Sequence, residues 1–304
     1  MNVYSSKFVI RVFVVIAIIV ANGPAIVLAK DDTSTTKGLA ISPIRTEIEV
    51  DPGKLYEQKL QLSNYSKKPI TVRLSAQEFN VTDRQYDYEF KADSGISKWI
   101  SFAASSIVLE PEKSKLVTYE LHVPIDAEPG GHYLSLFVTN DTQTAPGEIR
   151  TQQRIGSLLY ITVKGEVTRI GSLKYLESPF IFDGLQPWTM VVANTGTTHF
   201  RSKYSASIRN IFDNHEVAAA SSDALVLPQT ERKILASMPL LKYVGVYKVV
   251  YTVGLGDSPA AKREYIIVFV PKQAYGPLVS LSIICVAGVA YLVWKSHRRN
   301  TARH

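Results

Sequence analysis

The chain reads as an all-β protein: two tandem immunoglobulin-like β-sandwich domains followed by one C-terminal transmembrane helix. Three observations predict this. Short runs between residues 39 and 272 alternate apolar and polar side chains, separated by Gly, Pro, Asn and Asp turns. No segment between the two ends of the chain keeps a helical period over about ten residues, and 217–224 is the only helix-friendly patch. Residues 275–294 (YGPLVSLSIICVAGVAYLVW) carry no charge and, at about 1.5 Å per residue, reach roughly 30 Å, one hydrocarbon core.

The N-terminus has the build of a secretory signal peptide. Lys7 and Arg11 precede an apolar run, Asn22-Gly23-Pro24 breaks it, and Val27-Leu28-Ala29 offers small or aliphatic residues before a cut. An uncleaved signal anchor is the alternative, because residues 26–29 extend the apolar stretch. Residues 1–29 are assigned to the signal and 30–38, KDDTSTTKG, to a flexible lead-in.

The first domain spans 39–164. In ISPIRTEIEV, Ile44, Ile48 and Val50 share one parity and Arg45, Glu47 and Glu49 the other. Asp51-Pro52-Gly53 turns the chain. Tyr56, Leu60 and Leu62 alternate with Glu57, Lys59 and Gln61; residues 64–69 turn again, and Ile70, Val72, Leu74 and Ala76 continue the pattern. Residues 80–97 are acidic and less regular, a long connection or a hairpin arm. Tyr86, Tyr88 and Phe90, at even positions there, read as the buried face of a strand, with a sugar-stacking platform as the rarer use. Val117, Tyr119, Leu121 and Val123 form the next strand. A PIDAEPGG corner leads into His132-Tyr133, as in the penultimate strand of immunoglobulin-like sandwiches, and 155–163 closes the domain.

The second domain, 165–272, repeats this plan. Residues 190–193 are a strand and Asn194-Thr195-Gly196-Thr197 its turn. Leu225-Val226-Leu227-Pro228 echoes Val108-Leu109-Glu110-Pro111, and Gly245-Val246-Tyr247 echoes Gly131-His132-Tyr133. The short linker, 164–170, restricts the relative orientation of the two domains.

Tyr275 and Trp294 stand at the ends of the C-terminal apolar segment, where amphipathic rings favour the headgroup layer. The tail 295–304 holds Lys295, Arg298, Arg299 and Arg303 and no acid, so the positive-inside bias places it in the cytoplasm and both domains outside the cell. Tyr275, Trp294, Lys295, Arg298 and Arg299 are the predicted membrane-anchor residues. The chain carries 34 bases against 27 acids; setting aside two bases in the leader and four in the tail leaves 28 against 27. The basic balance therefore belongs to the ends and does not argue for nucleic acid. The single cysteine, Cys285, lies in the apolar segment, so the exported part has no disulfide, which favours a bacterial surface protein held by core burial alone.

Nothing in the sequence predicts catalysis, a metal site or a cofactor. The exported histidines are His122, His132, His199 and His215, none with a partner at metal-ligand spacing, and HExxH, GxSxG and an SxxK set with its companion motifs are absent from the sequence. Asp83, Asp87, Glu89 and Asp93 read as a solvated face rather than a calcium loop. Trp99 and Trp188 read as core or domain-interface residues. Asn64, Asn80 and Asn140 each begin an Asn-x-Ser/Thr sequence, a chance match in a bacterial protein.

The segments ISPIRTEIEVDPGKLYEQKLQLSNYSKKPITVRLSAQEF, KWISF and LEPEKSKLVTYELHVPIDAEPGGHYLSLF resemble the first domain of the WxL-interacting proteins of Gram-positive bacteria. NTGTTHF, LVLPQTER and GVYKVVYTVGLG are similar in layout to their second domain. The resemblance covers most of residues 39–304. It implies peptidoglycan binding by the first domain and adhesion to host or partner proteins by the second. It assigns no binding residue, because the matched positions are core and turn residues. The expectation is a membrane-anchored, non-enzymatic surface protein. The alternative is a membrane-tethered chaperone or assembly factor that binds partner strands by β-augmentation, which an unpaired edge strand in the first domain would distinguish.

Overall fold

The computed structural model describes residues 38–92, 94–140, 153–184 and 186–301. The predicted signal peptide and most of the lead-in lie outside the described residues. The strands fall into four sheets, which stack as two sandwiches.

The first sandwich begins with β1 (Leu39–Ser42), after which the chain crosses to the other sheet as β2 (Arg45–Val50). Its four-stranded sheet runs β1, β3 (Leu55–Asn64), β8 (Ser114–His122), β6 (Ile100–Phe102). The facing sheet runs β2, β10 (Arg154–Val163), β9 (Gly130–Asn140), β4 (Ile70–Val81), β5 (Tyr88–Lys91), and β7 (Ser106–Leu109) also pairs with β4. All pairings are antiparallel except β2 with β10. The alternation read from the sequence is the burial pattern: Val117, Tyr119, Leu121 and Val123 point into the core against Leu60, Leu62, Val72 and Leu134. Each such aliphatic side chain contributes roughly 1.5–3 kcal/mol by leaving water. Ile44 departs from its predicted parity. It precedes β2, at the crossing between sheets, and is 74% exposed.

The second sandwich pairs β11 (Gly171–Glu177), β13 (Trp188–Asn194) and β16 (Thr230–Ala236) in one sheet. The other runs β12 (Ile181–Phe182), β18 (Ser258–Phe269), β17 (Gly245–Leu255), β14 (Phe200–Asn210), β15 (Glu216–Val226). The helix-friendly patch 217–224 is strand, because ladder pairing with β14 overrides the helix preference of its alanines. Trp188 and Tyr251 stack at 4.3 Å in the core.

The echo between Val108–Pro111 and Leu225–Pro228 has a common structural cause. In the first domain Asn64 Nδ2 donates to the carbonyls of Lys68, Leu109 and Glu110, and its Oδ1 accepts from the Ser66 N–H. In the second, Asn194 Nδ2 donates to Thr198 and Val226, and its Oδ1 accepts from the Gly196 N–H. Each asparagine pins the turn after its strand to the echoed segment of the facing sheet. The Asn64 sequon is thus no glycosylation site in the folded chain, since its amide is buried and committed.

After β18 the chain enters one helix, α1 (Lys272–Thr301). Among the residues whose side chains are described, which are interrupted at 277–279 and 281, no helical stretch is long and apolar enough to cross a membrane.

Candidate functional site

The two sandwiches meet at a seam that positions everything around it. Phe79, Tyr86, Tyr133 and Tyr160 of the first domain pack against Leu225 and Leu227 of the second. Tyr86 is not on a strand face, as its parity predicts. It sits in the β4–β5 turn with φ of 71°, and its hydroxyl accepts the Leu227 N–H at 2.7 Å and meets Thr230 Oγ1 at 2.8 Å. Around this cluster the Lys233 N–H donates to Arg84 O, the Gly131 N–H donates to Thr197 O, and Arg201 pairs with Glu47.

His199 is buried in the seam against the Tyr133 and Tyr160 rings, its Nδ1 3.3 Å from the Tyr133 hydroxyl. Burial pushes its pKa down to about 4; the Glu47 carboxylate opposes this, and Arg169 and Arg201 reinforce it. The folded chain keeps this histidine neutral. Its full contribution is present above the unfolded value of 6.5 and is lost as pH falls from 6.5 towards 4, by up to about 3 kcal/mol. Urea melts across pH 7 to 4.5 are expected to show this loss in the native chain, and His199→Gln is expected to flatten it.

The remaining sequence candidates do not converge. His122 is exposed and bonded to Glu120, His132 bonds to Glu128 O, and His215 is exposed at a turn. Trp99 packs on His132 at 4.9 Å. Asp83 caps its own turn through the N–H groups of Gln85 and Asp87, and Asp93 lies outside the described residues. Among the described residues no group of His, Cys, Asp and Glu could hold a metal ion. Tyr275 is partly exposed at the start of α1; the side chains of Trp294, Lys295, Arg298 and Arg299 lie outside the described residues.

Sheet edges are the remaining candidate. In the first domain the edge strands β1, β5, β6 and β7 have three or four residues, and β2 has six with Arg45, Glu47 and Glu49 exposed along it. Short and charged edges discourage strand addition. In the second domain β15 is an 11-residue edge. Its Leu225 enters the seam and Ala224 and Val226 the core of the second sandwich, while Glu216 to Asp223 remain outside with no proline or lysine, charged only at the two ends.

Both faces of this edge are open. On the inner side, a groove of 240 Å³ lies between β15 and β16, with Trp188 and Tyr204 beneath and Leu235 and Ala236 opposite. It exists because the inward side chains of β15 are small: Ala218, Ala220 and Ser222 stand opposite Ile208, Ala206 and Tyr204. On the outer side lies a wider depression of 590 Å³, bounded by Lys203, Tyr204, Ser205, Ser221, Asp223 and Thr252. The sequence marks residues 217–224 only for their helix preference. Their edge position depends on long-range pairing and carries no local signal.

The fold has neighbours among solved structures. It is similar to the class 5 fimbriae chaperone CfaA, at 10% identity over 77% of this chain and 100% of that one, with a TM-score of 0.40. It is also similar to the CupB2 chaperone of Pseudomonas aeruginosa, at 13% identity over 74% and 98% of the two chains, TM-score 0.35. A PapD-like domain of human CEP192 matches 47% of this chain and 99% of its own at 16% identity, TM-score 0.33. No protein-family model matches the chain, and no curated protein matches it.

Proposed function

We propose that this protein is a membrane-tethered binding protein that captures an extended segment of a partner polypeptide by strand addition to β15, and so acts as a chaperone or assembly factor for surface proteins. The observation that carries this reading is the long edge of β15, charged only at Glu216 and Asp223, with a depression on each face. A strand added there gains main-chain hydrogen bonds along β15. Its alternate side chains fall into the groove over Trp188 or into the outer depression. The edge lies in the second domain, not in the first where it was expected.

Tethering is supported by residues 275–294, helical throughout, with Ile283, Ile284, Val286, Val289 and Leu292 turned outward, and by the basic tail that follows. Recognition of a wall polymer by the first domain rests on the family resemblance alone.

A photo-crosslinking residue placed in turn at Ala219, Ala220, Ser221 and Ser222 of the full chain in intact cells tests the reading. Adducts with one partner at β15, and none from control positions Leu116 and Val108, are expected, and Ala220→Lys should remove them by filling the groove. Equal labelling from the control positions sinks the proposal.

A further inference from the structure

We infer that the outer face of the first domain holds a second, separate binding site: a pocket for a phenolic ring presented by a partner polypeptide. It rests on residues that play no part in the β15 edge. The cavity, 610 Å³, lies over β9 and β10 and is walled by Ile44, Phe90, Phe137 and Leu158, with Arg45 at one side. That volume is in the range of pockets that accept small organic groups.

Its floor has an unanswered polar group. Ser135 is 1% exposed, lines the pocket, and its hydroxyl has no hydrogen-bond partner among the described residues. Buried hydroxyls almost always have one. Gln77, opposite Ser135 on β4, gives its Oε1 to Arg154. Gly156 passes close over the buried hydroxyl without a side chain: a Cβ there would stand 2.7 Å from Ser135 Oγ and 3.0 Å from the Phe137 ring. The arrangement thus offers apolar aromatic walls around one hydrogen-bonding group.

A phenol answers both features. Its ring packs edge-to-face on Phe90 and Phe137, which already meet in that geometry at 4.9 Å, and its hydroxyl donates to or accepts from Ser135. A purely hydrocarbon group leaves Ser135 without a partner. An ammonium is opposed by Arg45, the single charged residue of the lining, which lies over Tyr160. The rim argues for a polypeptide rather than a free small molecule. Exposed Ile44, Tyr88 and Phe90, 74%, 37% and 37%, extend the apolar surface beyond what one ring covers.

The test is saturation-transfer NMR on the full chain in detergent micelles, with N-acetyltyrosinamide, N-acetylphenylalaninamide, tyramine and N-acetylglucosamine as probes. N-acetyltyrosinamide is expected to bind roughly fivefold tighter than the phenylalanine analogue, the worth of one net hydrogen bond. Tyramine is expected to bind more weakly than N-acetyltyrosinamide. Ser135→Ala should abolish the tyrosine preference without lowering the melting temperature, since it removes a hydroxyl that has no partner. Equal binding of the two amides, a preference that survives Ser135→Ala, absence of binding, or binding of N-acetylglucosamine in place of the phenol would each overturn the inference. Loss of β15 crosslinks would leave it untouched.

Discussion

Replacing Trp188 with alanine is expected to cost about 4 kcal/mol, a large share of the 5–15 kcal/mol that holds a domain together. Trp188 is 1% exposed and is the largest fully buried side chain in the protein's described residues. It stacks on Tyr251 at 4.3 Å and meets Tyr204 edge-on at 5.7 Å. Tyr251 depends on that contact. Burial pushes its phenol pKa up to about 12, and its hydroxyl is bonded to Ser178 and Met238. Removing the indole leaves the Tyr251 ring without a face and opens the core into the groove beside β15. Equilibrium urea unfolding of the full chain checks the magnitude. Because Trp188 also floors that groove, the surviving folded fraction should lose β15 crosslinking with it.

The second large effect is expected at the paired asparagines. Asn194→Ala removes three hydrogen bonds from a residue 1% exposed and leaves the Val226 and Thr198 carbonyls buried without that donor. At about 1 kcal/mol for each bond lost, and more where a buried partner is stranded, the cost is about 3 kcal/mol. Asn64→Ala should cost at least as much, since Asn64 makes three donations and two acceptances. Asn194→Asp should be no better than alanine, because a carboxylate would face two carbonyls. The two sites share no partner, so the double variant should show the sum of the single losses in urea melts. A markedly smaller double effect would mean that the clamps act through one another.

Much of the architecture is legible in the sequence because a period of two is a local property. The run ending in Val123 announces its buried face residue by residue. The echo between Val108–Pro111 and Leu225–Pro228 is visible too, although its cause, the clamp from Asn64 or Asn194, is a contact across 32 to 46 positions. The features that matter for binding were not legible. Tyr86 reaches partners 141 and 144 residues away, so nothing near it marks it as a seam residue. Residues 217–224 look helical by composition and become an edge strand through pairing with β14 alone. The buried hydroxyl of Ser135 lies beside a glycine of a neighbouring strand. Edge status and pocket formation are properties of assembled sheets, and a single strand's pattern does not contain them.

The seam also determines how the protein can be divided. Cutting between the sandwiches would bare Phe79, Tyr86, Tyr133 and Tyr160 on one half and Leu225 and Leu227 on the other, and would leave the Lys233 N–H without Arg84 O. An aromatic face of that kind is an adhesive surface in water. Neither half is a faithful stand-in for its share of the whole. Two domains by topology, the paired sandwiches are one cooperative body by solvation.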